Sequence, residues 1–343
     1  MRRALPLTVM LLVMIAVMAI VNLLIGSVKI PVADICRILM GDESHEIWTN
    51  IIWKSRLPQV LTAIVAGAGL AVSGLQMQTV FRNPLAGPSV LGISNGSALG
   101  VAFVVLLSGK VGGVALSRLG YFGNAAMSVA AIAGALAVML LIVWVSQKVK
   151  GNATLLIIGV MIGYLANAII GVLKFLAPDE DVKSFVVWGL GSFSRVSGDE
   201  MTLFVVLMCI LIPLSFLLVK PMNLLLLGER YAANLGLNVQ RSRMLVIVSS
   251  GTLVAIVTAY CGPIMFIGLA VPHLARAIFR TSDHRVLMPA TALCGAALAL
   301  VCNFIARMPG FEGALPVNSV TALVGAPVIA MVIFGRRKSE VGD

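Results

Sequence analysis

Runs of roughly 20 apolar residues recur along the whole chain, parted by short breaks. A hydrocarbon core about 30 Å thick takes about 20 such residues per helical crossing. Only 11% of the 343 residues are charged and 59% are hydrophobic, with a mean hydropathy of +1.04. Soluble domains carry about 25% charged residues, so most of this surface cannot face water. Backbone polar groups must pair within the segment in lipid, and long uncharged runs favour helices over barrel strands. The breaks predict an all-α protein with about ten spans, over 5–25, 57–80, 89–108, 124–146, 153–176, 200–219, 244–261, 264–279, 286–306 and 316–334. Residues 1–343 read as a single polytopic membrane domain. The first run, preceded by Arg2 and Arg3, is longer than a signal-peptide core and lacks a small-x-small site, so it reads as a retained span.

Charge gives an independent test of this topology. With the N-terminus inside and ten crossings, the cytoplasmic segments hold 15 of the 25 Lys and Arg but only Glu229, Asp283, Glu340 and Asp343 of the 14 acids. The other side balances to zero, so the whole +11 excess falls on the side that the positive-inside rule makes cytoplasmic. Both termini are then cytoplasmic. The excess sets orientation and does not indicate nucleic-acid binding, which calls for basic patches interleaved with exposed aromatics.

Three segments outside the spans are long enough for structure of their own. Residues 26–55 and 177–199 face outward, the first with a short helix predicted around Val32–Met40, the second with a partly inserted apolar piece at Val186–Ser192. Residues 220–243 face the cytoplasm.

Several chemistries are absent. No G-x-x-x-x-G-K-[ST] loop is present, and His45-Glu46 lacks the second histidine of H-E-x-x-H. All 14 acids fall in loops or at span ends, whereas an ion-coupled carrier keeps a carboxylate within the membrane. The cysteines, Cys36, Cys209, Cys261, Cys294 and Cys302, form no C-x-x-C pair and suggest neither disulfides nor a metal site. If this chain carries out active transport, the energy must come from another subunit.

Four segments carry more. Gly92, Gly96 and Gly100 recur every fourth residue, which places them on one helical face for close packing or for lining a pathway. Phe81-Arg82-Asn83-Pro84-Leu85-Ala86-Gly87-Pro88 predicts a tight cytoplasmic turn. Leu225–Leu237 is apolar and small where a solvated loop should be polar, with Gly228 and Gly236 bounding a short helix that either docks a protein or lies on the membrane surface. Gly262–Arg276 predicts two helix breaks within the membrane, at Gly262-Pro263 and at Pro272. His273 there is either a proton carrier or ligand, or a structural hydrogen-bonding residue.

Arg56-Leu57-Pro58, Ser73-Gly74, Arg82–Pro88, Trp188–Ser192, Ala233–Gly236, Phe266–Leu269 with Pro272-His273, Asp283-His284-Arg285 and Thr321–Pro327 occur in that order. Together they resemble the FecCD-type permeases of iron–siderophore, haem and vitamin B12 ABC importers, over about residues 50–335. The resemblance implies the type II ABC importer permease fold in a bacterial inner membrane. It implies a homodimer around a central pathway, two cytoplasmic ABC ATPase subunits beneath it, and an extracytoplasmic substrate-binding protein above. Arg56 and Arg307 are implied to meet acids of the binding protein, a pairing that suits the guanidinium fork. A cytoplasmic gate is implied at Asn83, Leu85, Asn152 and Ala153. Coupling to the ATPase is implied through Leu227, Gly228, Glu229, Arg230, Ala233, Leu235 and Gly236. ATP and magnesium belong to the partner ATPase, and this chain is expected to hold no cofactor, metal or catalytic residue of its own. The chain departs from the family pattern at Gln59, Asn303, Ala314 and Asn318. Ferric siderophore is the first expectation for substrate, with haem and cobalamin as alternatives.

Overall fold

In the computed structural model, which describes residues 4–26, 28–41, 45–111, 121–149, 151–308 and 314–340, all regular structure is helical. The first third contains α1 (Ala4–Leu24), α2 (Val32–Leu39), α3 (Glu46–Ile51), α4 (Leu57–Phe81) and α5 (Ile93–Val111). The middle contains α6 (Tyr121–Lys148), α7 (Asn152–Leu176), α8 (Asp179–Gly189), α9 (Gly198–Ser215), α10 (Val219–Leu226) and the short α11 (Glu229–Asn234). The remainder is α12 (Val239–Cys261), α13 (Phe266–Phe279), α14 (His284–Ala306) and α15 (Val317–Glu340).

Among the described residues, seven helical stretches are long and apolar enough to cross a membrane, and Ile93–Leu107 and Phe266–Phe279 are shorter apolar helices. Each of the ten predicted spans coincides with a helix. The differences lie at the edges. α3 runs through a π-helical turn, Ile52–Arg56, straight into α4, so this rod begins at Glu46 rather than at 57. Pro58 has no N–H to donate, and the wider i→i+5 turn before it accommodates that loss. The predicted helix at 32–40 is α2, and the apolar stretch at 186–192 divides into the end of α8 and a turn.

The centre of the bundle is α4, packed against α14, α12, α13 and α9, while α5 pairs with α6 and α7. Small residues set these contacts. Gly67 and Gly295 face each other between α4 and α14, and Gly96 and Gly100 meet Gly134 and Ala130 of α6. Gly92 does not share that face. It ends the 3-10 turn Pro88–Leu91 with φ 74° and packs on Gly159 and Gly163 of α7. The fourfold spacing holds only for the pair already inside α5.

Pro272 is the second correction. α13 continues through it, and the only break in that stretch is Gly262–Met265. A proline leaves the carbonyl four residues earlier without its donor, here that of Gly268. α4 lies against this freed carbonyl at Gly74, where any side chain would collide with it. The break itself is satisfied by neighbours: Ser192 N–H donates to Cys261 O at 2.7 Å, and Asn318 Oδ1 accepts from Met265 N–H at 3.3 Å. α13 has 14 residues, so it rises only about 21 Å, less than the roughly 30 Å of a hydrocarbon core.

Candidate functional site

Two polar regions stand at opposite ends of α4. At its start, the π turn carries Arg56 beneath the end of α1. The Arg56 guanidinium donates to the carbonyls of Leu23 at 2.6 Å, Leu24 at 3.0 Å and Val28. These are carbonyls with no helical partner, and a cation at a helix C-terminus also meets the negative end of the macrodipole. Arg56 is 1% exposed. In this structure it anchors the end of α1 from within the bundle. Arg307, just past α14, is half-buried, and its Nη2 converges with that of Arg56 on Gly26. Burial first, and then the Arg56 charge, lowers the Arg307 pKa below the ordinary arginine value.

Arg307 opens into a polar pocket of about 200 Å³, lined also by Ser55, Gln59, Ser192, Ser194 and Asn303. Its Nη1 and the Gln59 Oε1 are buried without a partner among the described residues. The departures from the family pattern have local partners here. Gln59 Nε2 donates to Ser55 Oγ at 3.1 Å. Asn303 Nδ2 donates to Asn22 Oδ1 at 2.9 Å, while Asn22 Nδ2 donates to the carbonyls of Met18 and Leu300, which pins α1 to α14. Ala314 lines the pocket, and Glu312 lies outside the described residues.

At the other end, α4 stops at Arg82 with φ 47° and enters the Asn83–Leu85 turn. Asn83 Oδ1 accepts from Leu85 N–H at 2.9 Å, the side-chain mimic of a turn that asparagine favours. His273 Nε2–H donates to the Pro84 carbonyl at 2.7 Å, so this histidine positions the turn from α13. Of the two readings of His273, the geometry supports the structural one. Arg276 of α13 donates to Gln78 Oε1 at 2.6 Å, and His284 Nε2 lies 2.8 Å from Thr79 Oγ1, which fixes the end of α4 further. Leu85 is 57% exposed and Ala153, beside Asn152 at the start of α7, is also exposed. A single copy thus leaves both predicted gate elements uncovered. His273→Ala is expected to loosen the turn by about 1 kcal/mol, one neutral hydrogen bond. The readout is faster thiol labelling of a cysteine placed at Leu85, and an unchanged labelling rate contradicts it.

Beyond α10 stands α11, the predicted short helix, between Gly228 at φ 104° and Gly236 at φ 84°. Leu227, Arg230, Tyr231, Ala233 and Leu235 are exposed there, and Ala232 is buried beneath. The helix before it, α10, runs on to Leu226. α7 is also largely uncovered. Tyr164 and Asn167 on it border a groove of about 170 Å³ with Ser89 and Asn95. Among the described residues, no three His, Cys, Asp or Glu side chains gather to hold a metal ion.

A helical bundle with seven described helices long and apolar enough to cross a membrane, and polar sites at both ends of its central rod, defines a multi-pass membrane protein. The chain belongs to the FecCD transport family, whose model it matches over residues 12–335. It is 34% identical to the hemin transport system permease protein HmuU of Yersinia pestis over 97% of this chain and 96% of that one. It is 35% identical to the vitamin B12 import system permease protein BtuC of Escherichia coli over 87% of each. A solved inward-facing structure of a metal-chelate type ABC transporter superposes with a TM-score of 0.83 at 29% identity, covering 96% of this chain and 99% of that chain. A chain of PsaBC from Streptococcus pneumoniae shares the fold, with a TM-score of 0.53 at 18% identity.

Proposed function

We propose that this chain is the membrane-spanning permease subunit of an ATP-driven ABC importer for a large metal chelate, a ferric siderophore first, with haem or cobalamin as the second reading. The observation that carries it is α11, a short exposed helix flanked by the exposed Leu227 and Leu235 and set between two glycines of left-handed φ, which suits docking of a cytoplasmic ATPase. ATP and magnesium act on two such ATPase subunits, and this chain supplies no cofactor. The uncovered face of α7, with Tyr164 and Asn167 in the middle of a mostly apolar helix, suits a water-filled pathway shared with a second copy. Ten crossings with both termini cytoplasmic, as one polytopic domain of a bacterial inner membrane, agree with the one-sided positive charge. Arg307, half-buried and lining the polar pocket, is the group best placed to take a carboxylate from an extracytoplasmic binding protein. Leu85 with Ala153 forms the cytoplasmic gate. HmuU and BtuC support haem and cobalamin as alternatives, and the metal-chelate transporter supports the broader class.

The test is uptake into proteoliposomes holding the permease and its ATPase, with ferric siderophore, haem or cobalamin delivered by the cognate binding protein. Uptake is expected with ATP and is expected to vanish when the ATPase carries a mutated phosphate-binding loop. Uptake that survives this mutation, or that stops when a proton gradient is dissipated while ATP remains, overturns the proposal in favour of a secondary carrier.

A further inference from the structure

The segment between α9 and α12 is fastened to the bundle at two points, and a glycine of positive φ, Gly228, lies between them. Upstream, Asn223 of α10 accepts from the His284 backbone N–H at 2.9 Å and donates to Asp283 Oδ1 at 2.7 Å. Its Oδ1 also lies 2.7 Å from His284 Nδ1, so α10 is locked to the start of α14. Downstream, Glu229 of α11 pairs with Arg243 of α12, whose side chain is only 11% exposed. Gly228 stands between the two fastenings. A side chain there would meet nothing closer than Arg82 Nη1 at 3.6 Å, and at Gly236 it would meet nothing within 4 Å. Their left-handed φ values, not crowding, make both positions glycines, as expected of joints that turn.

The two fastenings differ in consequence. Gly228 lies between α10 and α11, whereas the charged pair joins α11 directly to α12. α12 is in turn clasped to α4. The Ser73 and Ser250 hydroxyls lie 2.6 Å apart, each donates to the other's carbonyl at 3.1 Å, and Gln76 Nε2 donates to Ser249 Oγ at 3.0 Å. Such hydrogen bonds between helices hold well inside an apolar bundle, where water does not compete. α4 ends in the Asn83–Leu85 turn, and Arg82 before that turn lines the same crevice as Glu229 and Arg243. We infer that Arg243 is a positioning residue for transport: with Glu229 it forms the strut through which displacement of α11 drives α12, and through α12 the gate turn at the end of α4. This inference rests on the reading of α11 as the ATPase-docking helix, and adds the route by which that docking reaches the gate.

The test uses the full complex in proteoliposomes and reads substrate transported per ATP hydrolysed. Glu229→Arg and Arg243→Glu singly are expected to lower that ratio at least tenfold, and the exchanged pair E229R/R243E is expected to recover most of it. Arg243→Lys, which keeps the charge, is expected to retain more than Arg243→Gln. Recovery in the exchanged pair also covers the case in which a single variant folds poorly, since a restored pair restores the strut. Single variants with the wild-type ratio, or an exchanged pair no better than the singles, overturn the inference. A wild-type complex that fails to link uptake to ATP counts against the proposed function instead.

Discussion

Gly74→Leu is expected to leave no correctly packed protein, and Gly74→Ala alone is expected to lower the thermal unfolding midpoint markedly. An added Cβ at Gly74 would collide with the Gly268 backbone, the carbonyl that Pro272 strips of its helical partner. Overpacking a core side chain costs about 1–3 kcal/mol when neighbours can change rotamer. Here the obstacle is backbone on both sides, so the expected loss for Gly74→Ala lies at the top of that range, about 3 kcal/mol. Cys294 and Cys302 are buried in α14 and serve as reporters, since their thiols become reactive to a fluorogenic maleimide on unfolding. Gly171→Ala on α7 is the control, because nothing lies within 4 Å of its added methyl group. Equal midpoints for the two variants would show that the α4–α13 approach is not the constraint described.

Arg56→Gln and Arg307→Glu are expected to fail in different ways. Arg56 serves three carbonyls at and beyond the end of α1, and its loss removes three charge-assisted hydrogen bonds to part-buried acceptors, at about 1 kcal/mol or more each. Arg56→Gln is therefore expected to cost several kcal/mol of stability, seen as early unfolding in detergent. Arg307→Glu keeps the bundle intact, and it even removes a like charge from beside Arg56. On the proposed function it is expected to weaken capture of the binding protein at least tenfold, most at low ionic strength where charges are least screened. Binding to immobilised permease in nanodiscs reads this directly. Should Arg56→Gln keep full stability while losing the binding protein, the assignment of Arg56 to α1 is wrong.

The departures at Asn303 and Asn318 show how a family pattern is altered without loss of packing. Asn303 carries a neutral amide, and α1 meets it with another amide, Asn22, so donors and acceptors match with no charge to compensate. Asn318 uses its side chain to accept from Met265 at the helix break. Neither partner could be named from spacing, since Asn22 and Asn303 are 281 residues apart. The Glu229–Arg243 pair spans only 14 residues but crosses Gly236, where helical periodicity ends, so no face could be assigned to either residue. The short helix at 229–234 and the turn at Asn83, in contrast, were legible, because glycine and Asn-Pro constrain the backbone locally whatever surrounds them.

What the sequence by itself determined is what the lipid solvent demands of every short window: apolar runs must become helices, and their breaks and flanking charges follow. That is why all ten predicted spans coincide with helices, and why the limits drift only at their ends, most before α4, where the rod already begins at Glu46. What only the tertiary structure decided is which faces meet. Arg56 turns inward because the end of α1 lies over it. Pro272 is tolerated because Gly74 sits against the carbonyl it frees, and Gly92 serves α7 rather than α6. Lipid is as apolar as leucine, so hydrophobicity chooses no partner inside a membrane. The choice falls to close contacts of small residues and to a few buried hydrogen bonds, whose two halves lie far apart in the chain.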